Sequence, residues 1–267
     1  MSDATATSPN AFDSGLTIPD FAACVSMGMQ PVALVQGYFC GQIASWSNYS
    51  YYPERNYPCA CYETEMHNPG WVGQVRDLDS SWMSAHQTAL SRMMNEATAL
   101  GAHGVVGVTT DMSHPTNENS CEVHLYGTAV LMQGAPPPQQ AWCTQLAGHK
   151  LAKLIEIGFM PSSVAYSRCT AMMSEGCYME YYGSGRCGTG YVISPLQDAH
   201  ELARSRAIST ARGISPQTSL YDVRMEVHES ERYKSTYITC SLLGSLVRRA
   251  RTNPPVARAI PTVSLGS

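Results

Sequence analysis

The chain repeats itself, and the repeat limits the folds open to it more than any other feature. Gly28-Met29-Gln30-Pro31 returns 130 residues later as Gly158-Phe159-Met160-Pro161. Each frame follows a short amphipathic stretch, Phe21 to Met27 in the first copy and Leu151 to Ile157 in the second. Each precedes a strand-like run, Val32 to Ile43 and Val164 to Met173. Further on, Ser84-Ala85-His86-Gln87-Thr88-Ala89-Leu90-Ser91-Arg92 is matched by Asp198-Ala199-His200-Glu201-Leu202-Ala203-Arg204-Ser205-Arg206, now at an offset of 114. Self-similarity at a fixed spacing means that one supersecondary unit is used twice.

The periodicities give the unit its contents. Trp82, Ala85, Ala89, Met93, Ala97 and Leu100 fall on one stripe at helical spacing, and Gly101 follows as a stop signal. In the second copy Ser194 and Pro195 provide an N-cap and first-turn signature, and Gly213 ends the run. Tyr221, Val223, Met225 and Val227 alternate with Asp222, Arg224, Glu226 and His228, the period of a half-buried strand. A shift of 115 places Val106, Val108, Thr110 and Met112 on the same face. The same shift relates Cys121, Val123, Leu125 and Gly127 to Thr236, Ile238, Cys240 and Leu242. The order per copy is short helix, strand, insert, long helix, strand, strand. The expected fold class is α+β: two tandem βαββ-type modules, each with a long helix packed on an antiparallel sheet.

The expected organisation is a disordered tail over 1–14, a first module over 15–133, a proline-rich linker over 134–141, a second module over 142–248 and a basic disordered tail over 249–267. The fall in offset from 130 to 114 makes the segment between first strand and long helix 16 residues longer in the first copy. That segment is rich in Tyr and Cys in both copies. Tyr49, Tyr51, Tyr52 and Tyr57 in one, and Tyr178, Tyr181 and Tyr182 in the other, are the candidate assembly contacts, because Tyr offers large area at low entropy cost.

Composition narrows the function. Charged residues make up 14% of the chain and the formal net charge is −4, which disfavours nucleic-acid binding through bulk charge. Low charge leaves weakly polar surface suited to contacts between copies. No basic-then-apolar leader opens the chain and no apolar run reaches about 18 residues, so a cytoplasmic protein without a membrane span is expected, with its 10 Cys reduced.

Three stretches carry a family resemblance. Gly28-Met29-Gln30-Pro31-Val32-Ala33-Leu34-Val35-Gln36-Gly37 looks like the opening strand of the YbjQ-like, so-called heavy-metal-binding domains. Ala97-Thr98-Ala99-Leu100-Gly101-Ala102-His103-Gly104-Val105-Val106-Gly107-Val108 resembles their helix end, turn and second strand, and Leu125-Tyr126-Gly127-Thr128-Ala129-Val130 their closing strand. The resemblance covers about residues 20–132 and reaches the second copy through the internal repeat. There Ala211-Arg212-Gly213-Ile214-Ser215-Pro216 replaces the Ala-Leu-Gly-Ala-x-Gly pattern. The resemblance implies a ring-forming module, commonly a pentamer, and supplies no catalytic signature. The family's Gly/Arg-rich segment before the long helix is replaced here by the Tyr/Cys inserts.

Chemistry is thin. Cys59-Ala60-Cys61 offers two thiolates to a soft metal, yet zinc sites usually repeat such pairs. His86 and His200 share one helical position, where they could ring an axis and hold an ion, or pack at a helix contact. Cys59, Cys61, His86 and His200 are thus the candidate ligands of a transition metal, the one cofactor considered. No nucleophile elbow, phosphate-binding loop or dinucleotide motif occurs, and Gly183-Ser184-Gly185-Arg186-Cys187-Gly188 is not followed at once by a helix. The expectation is a non-enzymatic, self-assembling protein that forms a pentameric, pseudo-decameric ring, with a larger cage or scaffold as an extension and tails or inserts free for protein cargo. The alternative is a metal- or small-ligand-binding protein.

Overall fold

The computed structural model describes residues 14–43, 73–113, 120–136, 140–174, 194–232 and 235–250. Helix α1 (Ile18–Ser26) is started by Thr17, whose hydroxyl accepts from the Asp20 N–H and donates to the Asp20 carboxylate at 2.7 Å. It stops at Met27, and Gly28 turns the chain at φ 74° into β1 (Met29–Gln42). A two-residue strand β2 (Gly73–Gln74) leads into the long helix α2 (Arg76–Ala99). Gly101 (φ 69°) ends that helix before β3 (Gly104–Ser113) and β4 (Ser120–Met132). The second half runs β5 (Trp142–Cys143), α3 (Gly148–Glu156), β6 (Phe159–Ser174), α4 (Ser194–Gly213), β7 (Ser219–Arg232) and β8 (Ser235–Arg249).

The strands form two sheets, ordered β1-β4-β3-β5 and β2-β6-β8-β7. All pairings are antiparallel except β5 on β3. Helices pack on both sheets, so the class is α+β as expected. The halves agree in local detail. The β1–β4 ladder slips between Pro31 and Ala33, and β6–β8 slips between Pro161 and Ser163. A second irregularity falls between Val106 and Thr109 in β3 and between Tyr221 and Arg224 in β7. At that bulge Gly107 has φ 64°, and Asp222 takes the same left-handed conformation at φ 51°. The Gly15 N–H donates to Thr128 Oγ1 at 3.2 Å, and the Gln145 N–H donates to Ser245 Oγ at 3.1 Å. In each half the next residue, Leu16 or Leu146, donates to the hydroxyl of Ser14 or Thr144.

Register revises one correspondence read from sequence. Val35 faces Gly127 and Ala165 faces Gly244, so the closing strands differ by 117 residues rather than 115. Leu125 therefore answers to Leu242, and Gly127 to Gly244. The slip is two residues, so each side chain keeps its face, and alternation alone could not detect it. Ser14 lies against Thr128, and Arg249 pairs with Phe159 at the end of β8.

Neither half is buried alone. Helix α2 lays Leu78, Ala85, Ala89 and Met93 on the inner face of the first sheet. Gly37 makes that approach possible, because a Cβ there would overlap the carbonyl oxygen of Ala89. The same core takes in Val164, Tyr166, Met172 and Tyr237 from the second sheet, so α2 is wedged between two sheets. The other face of the second sheet is covered by α4 through Ala199, Ala203, Ala207 and Ala211 against Cys169, Ala171, Ile238, Cys240 and Leu242. Helices α1 and α3 close the end of the assembly over Met29, Val106, Val130 and Val247.

Candidate functional site

The junction of α2 with the second sheet concentrates the buried polar groups. Three residues of α2 at helical spacing, Asp79, Trp82 and His86, face alternate residues of β6, namely Thr170, Arg168 and Tyr166. Asp79 is 1% exposed. Its carboxylate accepts from the Thr170 N–H at 2.8 Å, the Thr170 hydroxyl at 2.7 Å and Gln74 Nε2 at 3.4 Å. Arg168 Nε stands 3.6 Å from it, and the guanidinium lies over Trp82 at 5.0 Å from the ring centre. Burial raises the Asp79 pKa, while the two Thr170 donors, Arg168 and Gln74 pull it back. The carboxylate thus clamps the start of α2 to the middle of β6.

One turn on, His86 stacks on Tyr166 with ring centres 4.8 Å apart and planes 26° apart. His86 is 2% exposed, its Nε2 has no hydrogen-bond partner, and burial pushes its pKa down to about 4. It is a neutral, packed imidazole at neutral pH. Tyr166 also lines a cleft of about 290 Å³. Trp82, Met112 and Leu243 give it apolar walls, and Thr110, Arg168 and Ser241 give it polar ones, with Arg224 and Glu226 also lining it.

Of the residues singled out from sequence, the two histidines that the structure describes are not brought together. His86 lies on one side of the second sheet. His200 lies on α4, across that sheet, half-exposed and 4.0 Å from Glu229. Among the described residues no group of three or more His, Cys, Asp or Glu is placed to hold a metal ion. Cys59, Cys61 and the candidate contact residues Tyr49, Tyr51, Tyr52, Tyr57, Tyr178, Tyr181 and Tyr182 lie outside the described residues. No described helix is long and apolar enough to cross a membrane.

Sequence reading passed over Asp79, Arg168 and Thr170. Their signal was present: Asp79 sits beside the apolar stripe of α2, and Arg168 and Thr170 sit between Tyr166 and Met172 on one face of β6. The second exposed-looking surface, the outer face of the first sheet, was also unmarked. Tyr38 donates there to Glu122, His124 meets Gln36 Oε1 at 3.2 Å, and the rings of Tyr38, His124 and Tyr126 adjoin.

Two comparisons with known proteins find a likeness in sequence. The chain is 26% identical over 178 residues to the encapsulin nanocompartment protein of Mycobacterium tuberculosis (strain ATCC 25618 / H37Rv), a match covering 64% of this chain and 60% of that protein. The chain therefore spans about 60% of the length of the curated relative it matches. No solved structure matches. Residues 70–133, from just before β2 to just past β4, match the family model described as "Putative heavy-metal-binding", YbjQ, and this span is a YbjQ-like segment.

Proposed function

We propose that the chain is a non-enzymatic, cytoplasmic, self-assembling protein whose copies join into a ring, and that rings combine into a cage or scaffold that holds cargo. The observation that carries this is the wedging of α2 between two sheets. A helix-on-sheet unit whose helix also packs on the back of the next sheet makes a head-to-tail contact. Repeated with rotation, such a contact either closes as a ring or runs on as a filament. Within one chain it is made once, by α2. Among the described elements, helix α4, the outward helix of the second half, packs chiefly on its own sheet. The outer face of the first sheet keeps Leu34 and Tyr38 exposed. The similarity to an encapsulin nanocompartment protein supports closure into a shell. The family resemblance supports five chains, hence ten quasi-equivalent units, per ring. Light scattering behind size exclusion, with electron microscopy of the peak, tests the reading. Particles several chains in mass with a central axis are expected, and a monomer at micromolar concentration would overturn it.

A second reading, small-ligand binding, is favoured by the cleft between the sheets. Thr110 Oγ1 is buried there with no hydrogen-bond partner, in the same cleft as the Arg168 guanidinium. A small organic carboxylate suits that pairing of cation and apolar wall. Protection of the chain against thermal unfolding by millimolar benzoate, absent with benzyl alcohol, is the expected sign. The metal variant of this reading rests on Cys59 and Cys61, and metal analysis of tag-free protein before and after Cys59→Ser tests it.

A further inference from the structure

The internal junction is a template for a second one. Residues of α2 and β3 have counterparts in α4 and β7 at offsets of 114 and 115. Residues of β6 and β8 have counterparts in β1 and β4 at offsets of 130 and 117. Carried across, the stacking of His86 on Tyr166 becomes His200 on Gln36, and the contact of Trp82 with Arg168 becomes Leu196 on Tyr38. The cleft residues Thr110 and Met112, which line one cleft with Ser241 and Leu243, become Met225 and Val227 beside His124 and Tyr126.

The edge of β3 completes the template. Thr144 N donates to Val105 O at 3.0 Å, Val108 N to Thr144 O at 3.0 Å, and Gly107 N to Leu146 O at 3.1 Å. The counterparts are Ser14 N to Leu220 O, Val223 N to Ser14 O, and Asp222 N to Leu16 O. Asp222 already holds the left-handed conformation that Gly107 uses to present its N–H. Among residues with a Cβ that conformation is largely confined to Asn and Asp, and holding it at Asp222 keeps in β7 the edge bulge by which β3 receives a strand.

The two surfaces also match in chemistry. Leu34 and Tyr38 are 40% and 44% exposed on the first, and Val223 and Val227 are 45% and 51% exposed on the second. These four are among the exposed large apolar side chains of the described residues, and pairing the faces would cover them together. The occupant has to be another copy, because α2 and both sheets stand between the two faces within one chain.

We infer that a second copy of this chain seats the outer face of its first sheet on α4, and adds its Ser14–Leu16 segment to the β7 edge at Leu220–Val223, in the register of the internal junction. The inference rests on the self-assembly proposed above and goes further by fixing faces and register. The clamp does not recur: Tyr38 and Cys40 stand where Arg168 and Thr170 stand. The joint between chains is held by apolar and aromatic contact without a buried carboxylate–guanidinium pair.

Cross-linking in trans tests it. Full-length chains carrying Gln36→Cys and His200→Cys, each with Cys40→Ser, are co-expressed, oxidised and mapped by mass spectrometry. A 36–200 link in mixed particles, absent from either variant alone, is expected. A 200–200 link in the His200→Cys protein would show two-fold pairing and overturn the inference. Particles of wild-type mass with no 36–200 link would overturn the register and leave self-assembly standing. Monomers at micromolar concentration from wild-type chain would remove both. The exposed Val227→Asp variant is expected to keep its circular dichroism spectrum and lose the particles, and unchanged particles would count against the joint.

Discussion

His86 should make the chain lose stability in mild acid, and the size of the effect follows from its burial. An exposed imidazole takes a proton near pH 6.5, whereas His86 is pushed down to about 4 by burial between α2 and Tyr166. Between those values the unfolded chain binds the proton and the folded chain does not. The stability from keeping His86 neutral is therefore complete above pH 6.5 and is lost as pH falls toward 4. That difference is worth about 3 kcal/mol in full, of which about 2 kcal/mol is gone by pH 5. His86→Phe keeps a ring against Tyr166 and removes the titrating nitrogen. Urea unfolding of both proteins at pH 7.5, 6, 5 and 4.5 reads the difference, and groups common to both cancel. The variant should gain about 2 kcal/mol on wild type between pH 7.5 and 5. Parallel profiles within about 0.5 kcal/mol would refute a buried neutral His86.

The clamp, the close approach and the thiols give three further tests. Asp79→Ala leaves the Thr170 donors and Arg168 without their acceptor, and should cost about 3–5 kcal/mol in urea unfolding. A double-mutant cycle with Arg168→Met would apportion that loss. Gly37→Ala drives a methyl into the Ala89 carbonyl and should cost upwards of about 3 kcal/mol or prevent folding, whereas Gly134→Ala, whose Cβ meets nothing within 4 Å, should cost only about 1 kcal/mol for its left-handed backbone. Of the described cysteines only Cys40 is exposed on a single chain, and it lies on the face proposed to meet another copy, so it should react slowly with Ellman's reagent in assembled particles and before the other described cysteines in dissociated, folded chains. Cys169, pushed up to about 12 by burial, and Cys240, raised for the same reason, should react only on unfolding.

The repeat was legible because it is written in residues with one structural job. Gly28 and Gly158 both turn the chain at positive φ, and Pro31 and Pro161 both sit at a strand irregularity. The helix stripe was legible because period 3.6 needs only one apolar side. The 117-residue offset of the closing strands was not, since sliding a strand by two preserves alternation and only hydrogen-bond register fixes the pairing. The junction was not legible for a different reason. Tyr166, Arg168 and Thr170 look like the wet side of a strand, and burial on α2 comes from a helix some 80 residues away in sequence. Even so, the opposite side of β6 carries Ala165, Cys169 and Ala171, and a strand apolar on one side with Tyr166 and Met172 on the other reads as covered twice.

The wedging of α2 also decides where the chain can be divided. Residues 134–141 look like the place to cut, with Pro136, Pro137 and Pro138 joining two similar halves. A cut there would strip β5 from the edge of β3 and leave Tyr166, Arg168 and Thr170 of the second piece facing water, their carboxylate on the other fragment. The halves are alike in plan, yet each holds part of the other's interior. Such fragments would be expected to recover a native core by finding each other, so the unit of cooperative folding is the pair.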